Sequence, residues 1–144
     1  MKKKLIFTIM LLLTGCGTAT LATNQADSQN LSNERVSVAA EPTVITATAA
    51  AQMMEELSDF IILDVRTETE FNDGHIPNAV LMPIEILTPE VILQTIPSYD
   101  TTVLVYCRSG RRSASAAEVI ASLGYTAVYD FGGILDWQGE IVGR

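Results

Sequence analysis

The sequence predicts an α/β domain with a mainly parallel central sheet and helices on both faces. Three observations lead there. Short stretches of strand character alternate with stretches of helical period over residues 42–144, the pattern of strand–helix–strand units. Residues 60–65 and 102–106 are almost wholly apolar, as strands covered on both faces must be. Caps and breakers stand at the seams between them.

Thr43-Val44-Ile45 is a short β-type run. Thr46 caps a helix reaching about Leu57, rich in Ala, Met and Glu, with Met53 and Met54 as packing residues. Residues 60–65 form the first buried strand. Thr67-Glu68-Thr69-Glu70 is a capping box that opens a short helix, and Asp73-Gly74 closes it. Residues 79–82 form another short strand, stopped by Pro83. A helix follows from Pro89 to about Gln94, and residues 102–106 form a strand rich in β-branched residues. From Ser113 a helix sets Ala116, Ala117, Ile120 and Leu123 on one side and stops at Gly124. Residues 126–129 form the last strand, Gly132-Gly133 a turn, and residues 134–137 a short terminal helix.

The N-terminal part differs in kind. Lys2, Lys3 and Lys4 precede an apolar run over residues 5–13, interrupted only by Thr8. That run is shorter than the roughly 20 residues a membrane-spanning helix needs, but it suits the core of an export signal. Leu13-Thr14-Gly15-Cys16 resembles a bacterial lipobox. The resemblance implies removal of residues 1–15, acylation of Cys16, and anchoring by that lipid to the extracytoplasmic face of a bacterial membrane. Residues 17–41 are rich in Ala, Thr, Ser, Asn and Gln and read as a flexible tether.

Loss of the three lysines would shift the formal charge from −8 to −11 and leave arginine as the only strong cation. Such an acidic surface excludes general nucleic-acid binding. It also isolates Arg108, Arg111 and Arg112, three of the six arginines, within five residues of one another. With Cys16 acylated, Cys107 is the one remaining thiol and has no disulfide partner in the chain.

Cys107 ends a buried strand and is followed by Arg108-Ser109-Gly110-Arg111-Arg112-Ser113 and a helix. Ligands of open α/β sheets bind at this edge. Backbone N–H groups and the helix dipole favour an anion there, and the nearest anion is the cysteine sulfur itself. Nearby arginines act in the same direction, so the thiol pKa falls and the nucleophilic thiolate gains. Gly110 permits the backbone angles that let the loop curl around one atom.

Cys-Arg-Ser-Gly-Arg-Arg-Ser resembles the active-site loop of the rhodanese family. Three further segments resemble that family in the same order. They are Asp64-Val65-Arg66 at a strand end, Glu70-Phe71 with Gly74-His75-Ile76-Pro77-Asn78-Ala79, and Gly132-Gly133-Ile134 through Trp137. Asn78 replaces the usual glycine. The resemblance implies a small rhodanese-like fold and sulfur transfer through a persulfide on Cys107. It implies a small anionic donor such as thiosulfate, a thiol or protein acceptor, and no metal or organic cofactor. Arg108 and Arg111 are then candidates for attracting the donor, and Arg112 for bracing the loop. Ser109, Gly110 and Ser113 belong to the cradle, and Asp64 and Arg66 support it from the neighbouring strand.

His75, the only histidine, reads as a structural residue of a turn, and Trp137 as a core or lid residue. Cysteine phosphatases and arsenate reductases have a similar loop, but their arginine stands six places after the cysteine. Arg112 stands five places after Cys107, so this cradle is one residue shorter and suits a sulfur atom better than a tetrahedral oxyanion. A sulfur-carrying binding module of the same fold is the non-enzymatic alternative. A thiol redox role lacks a second free cysteine to resolve a disulfide. The acidic domain gives no positive sign of assembly. The chain stops soon after Trp137, which would leave one wall of the pocket open to a partner.

Overall fold

A computed structural model describes residues 40–143. The expected export signal, Cys16 and residues 17–39 of the expected tether lie outside the described residues. The elements are β1 (Thr43–Val44), α1 (Ala47–Glu56), β2 (Ile61–Asp64), α2 (Glu68–Asn72), β3 (Val80–Leu81), α3 (Pro89–Thr95), β4 (Val103–Cys107), α4 (Arg111–Ser122) and β5 (Val128–Gly133). Short 3-10 turns stand at Ile84–Ile86 and Ile134–Asp136. The strands form one sheet in the order β1-β5-β4-β2-β3, and every neighbouring pair is parallel. Parallel neighbours need crossover connections, which the alternating helices supply.

The two-residue period of β4 divides the core. Val103, Val105 and Cys107 pack with Ile92 and Ile96 of the α3 region and with Ala116, Ala117 and Ile120 of α4. Leu104 and Tyr106 face the other way, onto Ala50 of α1, Ile62, Ile76 and Phe131. All five β4 residues are buried, so helices cover both faces, as the apolar runs predict. Each such side chain contributes about 1.5–3 kcal/mol when fully buried.

The caps are where the sequence puts them. Thr46 accepts from Ala49 N at 3.1 Å, and Thr67 and Glu70 form both halves of the capping box. Thr88, unassigned from the sequence, also caps α3, with Pro89 in its first turn. Asn78 takes φ +64°, a left-handed conformation that asparagine tolerates better than most residues, which accounts for it in a position of glycine type.

Most bounds shift by a single residue, and the larger departures from expectation are these. The fourth helix begins at Arg111 rather than Ser113, because Gly110 at φ +98° turns the chain within three residues. The last strand is not residues 126–129: Thr126 N is tied to Tyr99 O at 2.9 Å, and pairing begins at Val128. Gly132 and Gly133 are not a free turn but the end of β5, since pairing with β4 resumes after a register shift and matches Cys107 with Gly133. The terminal helix is a single 3-10 turn, Ile134–Asp136, and the 3-10 turn Ile84–Ile86 has no local signal beyond Pro83.

Candidate active site

β4 delivers Cys107 to the C-terminal edge of the sheet as the strand's last residue, only 1 % exposed. The chain then curls back. Gly110 N donates to Cys107 Sγ at 3.1 Å. Ser113 Oγ lies 2.9 Å from Gly110 O and 3.1 Å from Gly132 O, and its single proton can serve either. The loop is thereby tied to β5. Gly133 makes that fit possible, because a Cβ there would stand 2.4 Å from Arg108 O and 2.7 Å from Ser109 Cα.

Burial acts most strongly on the Cys107 thiol and by itself would raise its pKa. The N–H groups of Ser113, Ser109 and Gly110, with the Ser113 hydroxyl, together outweigh burial and hold the thiol below its ordinary 9.0. Alkylation by iodoacetamide should therefore show a pH midpoint below 9.0, because the thiolate is the reacting form. Ser113→Ala should move the midpoint up. A midpoint at or above the value for a free thiol would deny the cradle its electrostatic effect.

Arg112 opens α4 close to the sulfur, but its guanidinium is engaged. Nη1 and Nη2 donate to Glu70 Oε2 and Oε1 at 2.8 and 2.7 Å. Glu70 Oε2 also accepts from Thr67 N at 3.0 Å, so the carboxylate of the α2 capping box is the anion that meets the arginine of the loop. Arg112, acting first against burial and then with Thr67, pulls the Glu70 carboxyl down to about 2. The sign follows from linkage. The folded pKa lies below the unfolded 4.5, so the stabilisation is whole above 4.5 and is lost as pH falls toward 2. In urea unfolding, the advantage of the native protein over Arg112→Gln should be full near pH ~6 and mostly gone near pH ~2. An advantage independent of pH would assign it to packing.

Asp64 and Arg66 stand one strand away, at the end of β2. Arg66 Nε donates to Asp64 Oδ1 at 2.9 Å and Nη2 to Oδ2 at 2.5 Å. Nη2 also donates to Gly74 O at 2.9 Å, which fastens the strand end to the turn after α2. Burial disfavours the Arg66 charge, yet Asp64, with a smaller part from Tyr106, more than restores it. Tyr106 lies beneath, its ring centre 5.4 Å from the guanidinium carbon, and its hydroxyl accepts from Ile76 N at 3.2 Å. Burial first, then Asp64, pushes the Tyr106 phenol well above its usual range.

His75 stacks on Phe71 with ring centres 3.7 Å apart, and its main chain pairs with Val142. Its Nδ1 lies 3.0 Å from Phe71 O. That is a structural placement, holding the C-terminal segment against the turn after α2. Trp137 packs near Phe131 and gives its indole N–H to Glu140 O. Beside the loop lies an open cleft of about 460 Å³, bounded by Arg66, Glu70, Asp73 and Arg108 and by apolar Ile134, Leu135, Trp137 and Ile141.

The fold thus gathers Cys107, Ser109, Gly110 and Ser113 around one sulfur. Arg112 turns to Glu70, Arg108 borders the cleft and Arg111 is exposed. Among the described residues, no three His, Cys, Asp or Glu side chains are placed to share a metal ion. Sequence reasoning gave Glu70, Gly132 and Gly133 no part in the site. The capping box signalled the position of Glu70 but not its partner 42 residues away.

The profile of the rhodanese-like domain family matches residues 46–140. A sulfurtransferase of Allochromatium vinosum is 33% identical over 94 residues, covering 65% of this chain and 85% of that protein. The thiosulfate sulfurtransferase PspE of Escherichia coli is 35% identical over 74 residues, covering 51% of this chain and 70% of its own. Among solved structures, a rhodanese-related protein of Thermoplasma volcanium superimposes with TM-score 0.58 at 31% identity, over 71% of this chain and 99% of its own. With the parallel sheet, the cysteine loop at its edge and these matches in agreement, the chain belongs to the rhodanese-like domain family.

Proposed function

We propose that this protein is a sulfurtransferase that carries sulfane sulfur as a persulfide on Cys107. The observation that carries the reading is the cradle itself. A buried thiol, tied to Gly110 N–H and surrounded by the N–H groups of Ser109 and Ser113, is held below its ordinary pKa. Such a cradle stabilises a sulfur anion before and after loading.

With thiosulfate as donor, the Cys107 thiolate attacks the outer sulfur. A sulfur–sulfur bond forms to Cys107, the donor's own breaks, and sulfite leaves with the electron pair. An acceptor thiolate or cyanide then attacks the outer sulfur of the persulfide, and Cys107 leaves as thiolate. The chemistry requires no metal or organic cofactor. Arg108 and Arg111, both exposed beside the loop, attract the anionic donor. Arg112 and Glu70 hold the loop in shape, and Asp64 and Arg66 hold the adjoining strand end.

The test is the mass of the protein after incubation with thiosulfate, then after cyanide. Gain of one sulfur atom, and its loss with release of thiocyanate, is the expected result. Loading without discharge to any small acceptor would favour a sulfur-carrier module. No loading of the reduced, folded protein would reject the reading.

We also propose that the protein is exported and held at the outer face of a bacterial membrane by lipid on Cys16, on the strength of the lysine cluster, apolar run and Leu-Thr-Gly-Cys of residues 2–16. Cys16→Ala should move the protein from the membrane fraction to the soluble one. An unchanged distribution would reject the anchor.

A further inference from the structure

Asp130 is a buried carboxylate to which the sulfur chemistry gives no part. It lies on β5 and is 5% exposed. Val128, two residues earlier, belongs to the core under α4, so the two-residue period of a strand sets Asp130 on the same face. Its main chain is held from both sides, in register with Val44 of β1 and Val105 of β4. An acid at such a position costs free energy unless it is bonded. Its Oδ1 accepts from Gly132 N at 3.0 Å, the turn that aspartate makes with the amide two residues on.

That turn coincides with the irregularity in the sheet. From Val105 to Cys107 β4 advances two residues, while from Asp130 to Gly133 β5 advances three. The extra residue interrupts the ladder and bends the strand, as a bulge does. The bend meets the sulfur loop at three points. Gly132 O lies 3.1 Å from Ser113 Oγ. A Cβ on Gly110 would stand 3.6 Å from Gly132 Cα. Gly133 lies against the backbone of Arg108 and Ser109 with no space for a Cβ. Ser109, Gly110 and Ser113 are the residues whose N–H groups act on the Cys107 sulfur.

We propose that Asp130 is a positioning residue of the sulfur site: its carboxylate fixes the bulge at Gly132, and the bulge holds the loop N–H groups on Cys107. The inference rests on the sulfurtransferase reading, to which it adds a residue that acts through the loop. Charge and geometry act here with opposite signs. A negative charge near the loop disfavours the thiolate, so its removal alone lowers the Cys107 pKa. Loss of the bond to Gly132 N lets the bulge relax and the N–H groups spread, which raises it.

The test compares Asp130→Asn, Asp130→Ala and Asp130→Val. The readout is the pH midpoint of iodoacetamide alkylation, read at Cys107 by peptide mass, with urea unfolding alongside. Asparagine keeps the acceptor and drops the charge, so its midpoint should equal the native one or fall below it. Alanine drops both, and its midpoint should rise by about one pH unit, the scale of one weakened hydrogen bond to an anion. Valine fills the site and suits a strand, and it should show the same rise if the alanine protein does not fold. Thiosulfate loading at pH ~7 should slow about threefold in the alanine or valine protein, because the rarer thiolate is also the stronger nucleophile. A native midpoint in a folded alanine or valine protein, whatever its loss of stability, overturns the proposal and leaves Asp130 a brace of the strand. A rise in the asparagine protein as large as in alanine also overturns it. Native protein that takes up no sulfur is a separate result: it rejects the sulfurtransferase reading, while the midpoints still report on the loop.

Discussion

Cys107→Ser is expected to abolish sulfur loading, lowering the rate by at least about a thousandfold, while leaving the fold intact. The reason is chemical. A serine hydroxyl stays protonated in the cradle at neutral pH, and an oxygen cannot form the persulfide. The fold should survive because the side chain is nearly isosteric at a strand end, and Gly110 N–H keeps an acceptor in place of Sγ. Intact-mass measurement after thiosulfate, with circular dichroism and urea unfolding as controls, reads both parts. Sulfur transfer that persists in the serine variant would place the working thiol elsewhere.

The second large effect is expected at Gly133. An alanine Cβ there would stand 2.4 Å from Arg108 O, 2.7 Å from Ser109 Cα and 2.8 Å from Arg108 C. All three are backbone atoms of the sulfur loop, so no flexible side chain can give way. Either the loop shifts or the paired end of β5 withdraws. Gly133→Ala should lower stability by about 2–3 kcal/mol, the upper range for overpacking. It should also return the alkylation midpoint toward 9.0, since the N–H groups would no longer converge on the sulfur. Gly132→Ala is the control. Its Cβ would meet nothing within 4 Å, but its φ of +84° is disfavoured for alanine, at a cost of about 1–2 kcal/mol. It should lose stability and keep the low midpoint. A Gly133→Ala protein with native stability and an unchanged midpoint would contradict the account of how the loop is shaped.

What the sequence determined by itself was local. The fold class followed from strand and helix periods that each segment displays alone. The apolar run of β4 reads as buried on both faces, and it is. Thr46 and Thr67 bond to amides three residues on, so their caps were legible without any partner segment. The cradle around Cys107 was legible for the same reason: strand, glycine-bearing loop and helix start are contiguous, and their N–H groups come from residues 109 to 113.

The tertiary structure alone decided the rest, where the partner is far along the chain. Gly132 and Gly133 have the chemistry of a turn, and only the presence of β4 makes them a strand, because ladder pairing outweighs weak β propensity. Arg112 by itself is a cation at a helix N-terminus, where the dipole opposes it. Its meaning comes from Glu70, brought across 42 residues to form a two-pronged pair. Arg66 reads from sequence as a support. The structure adds that Asp64 and Gly74 O take its Nε and Nη2, so that the strand end is fastened to the turn after α2. Periodicity and capping are written within a few residues, whereas the direction of a long side chain depends on which distant backbone closes around it.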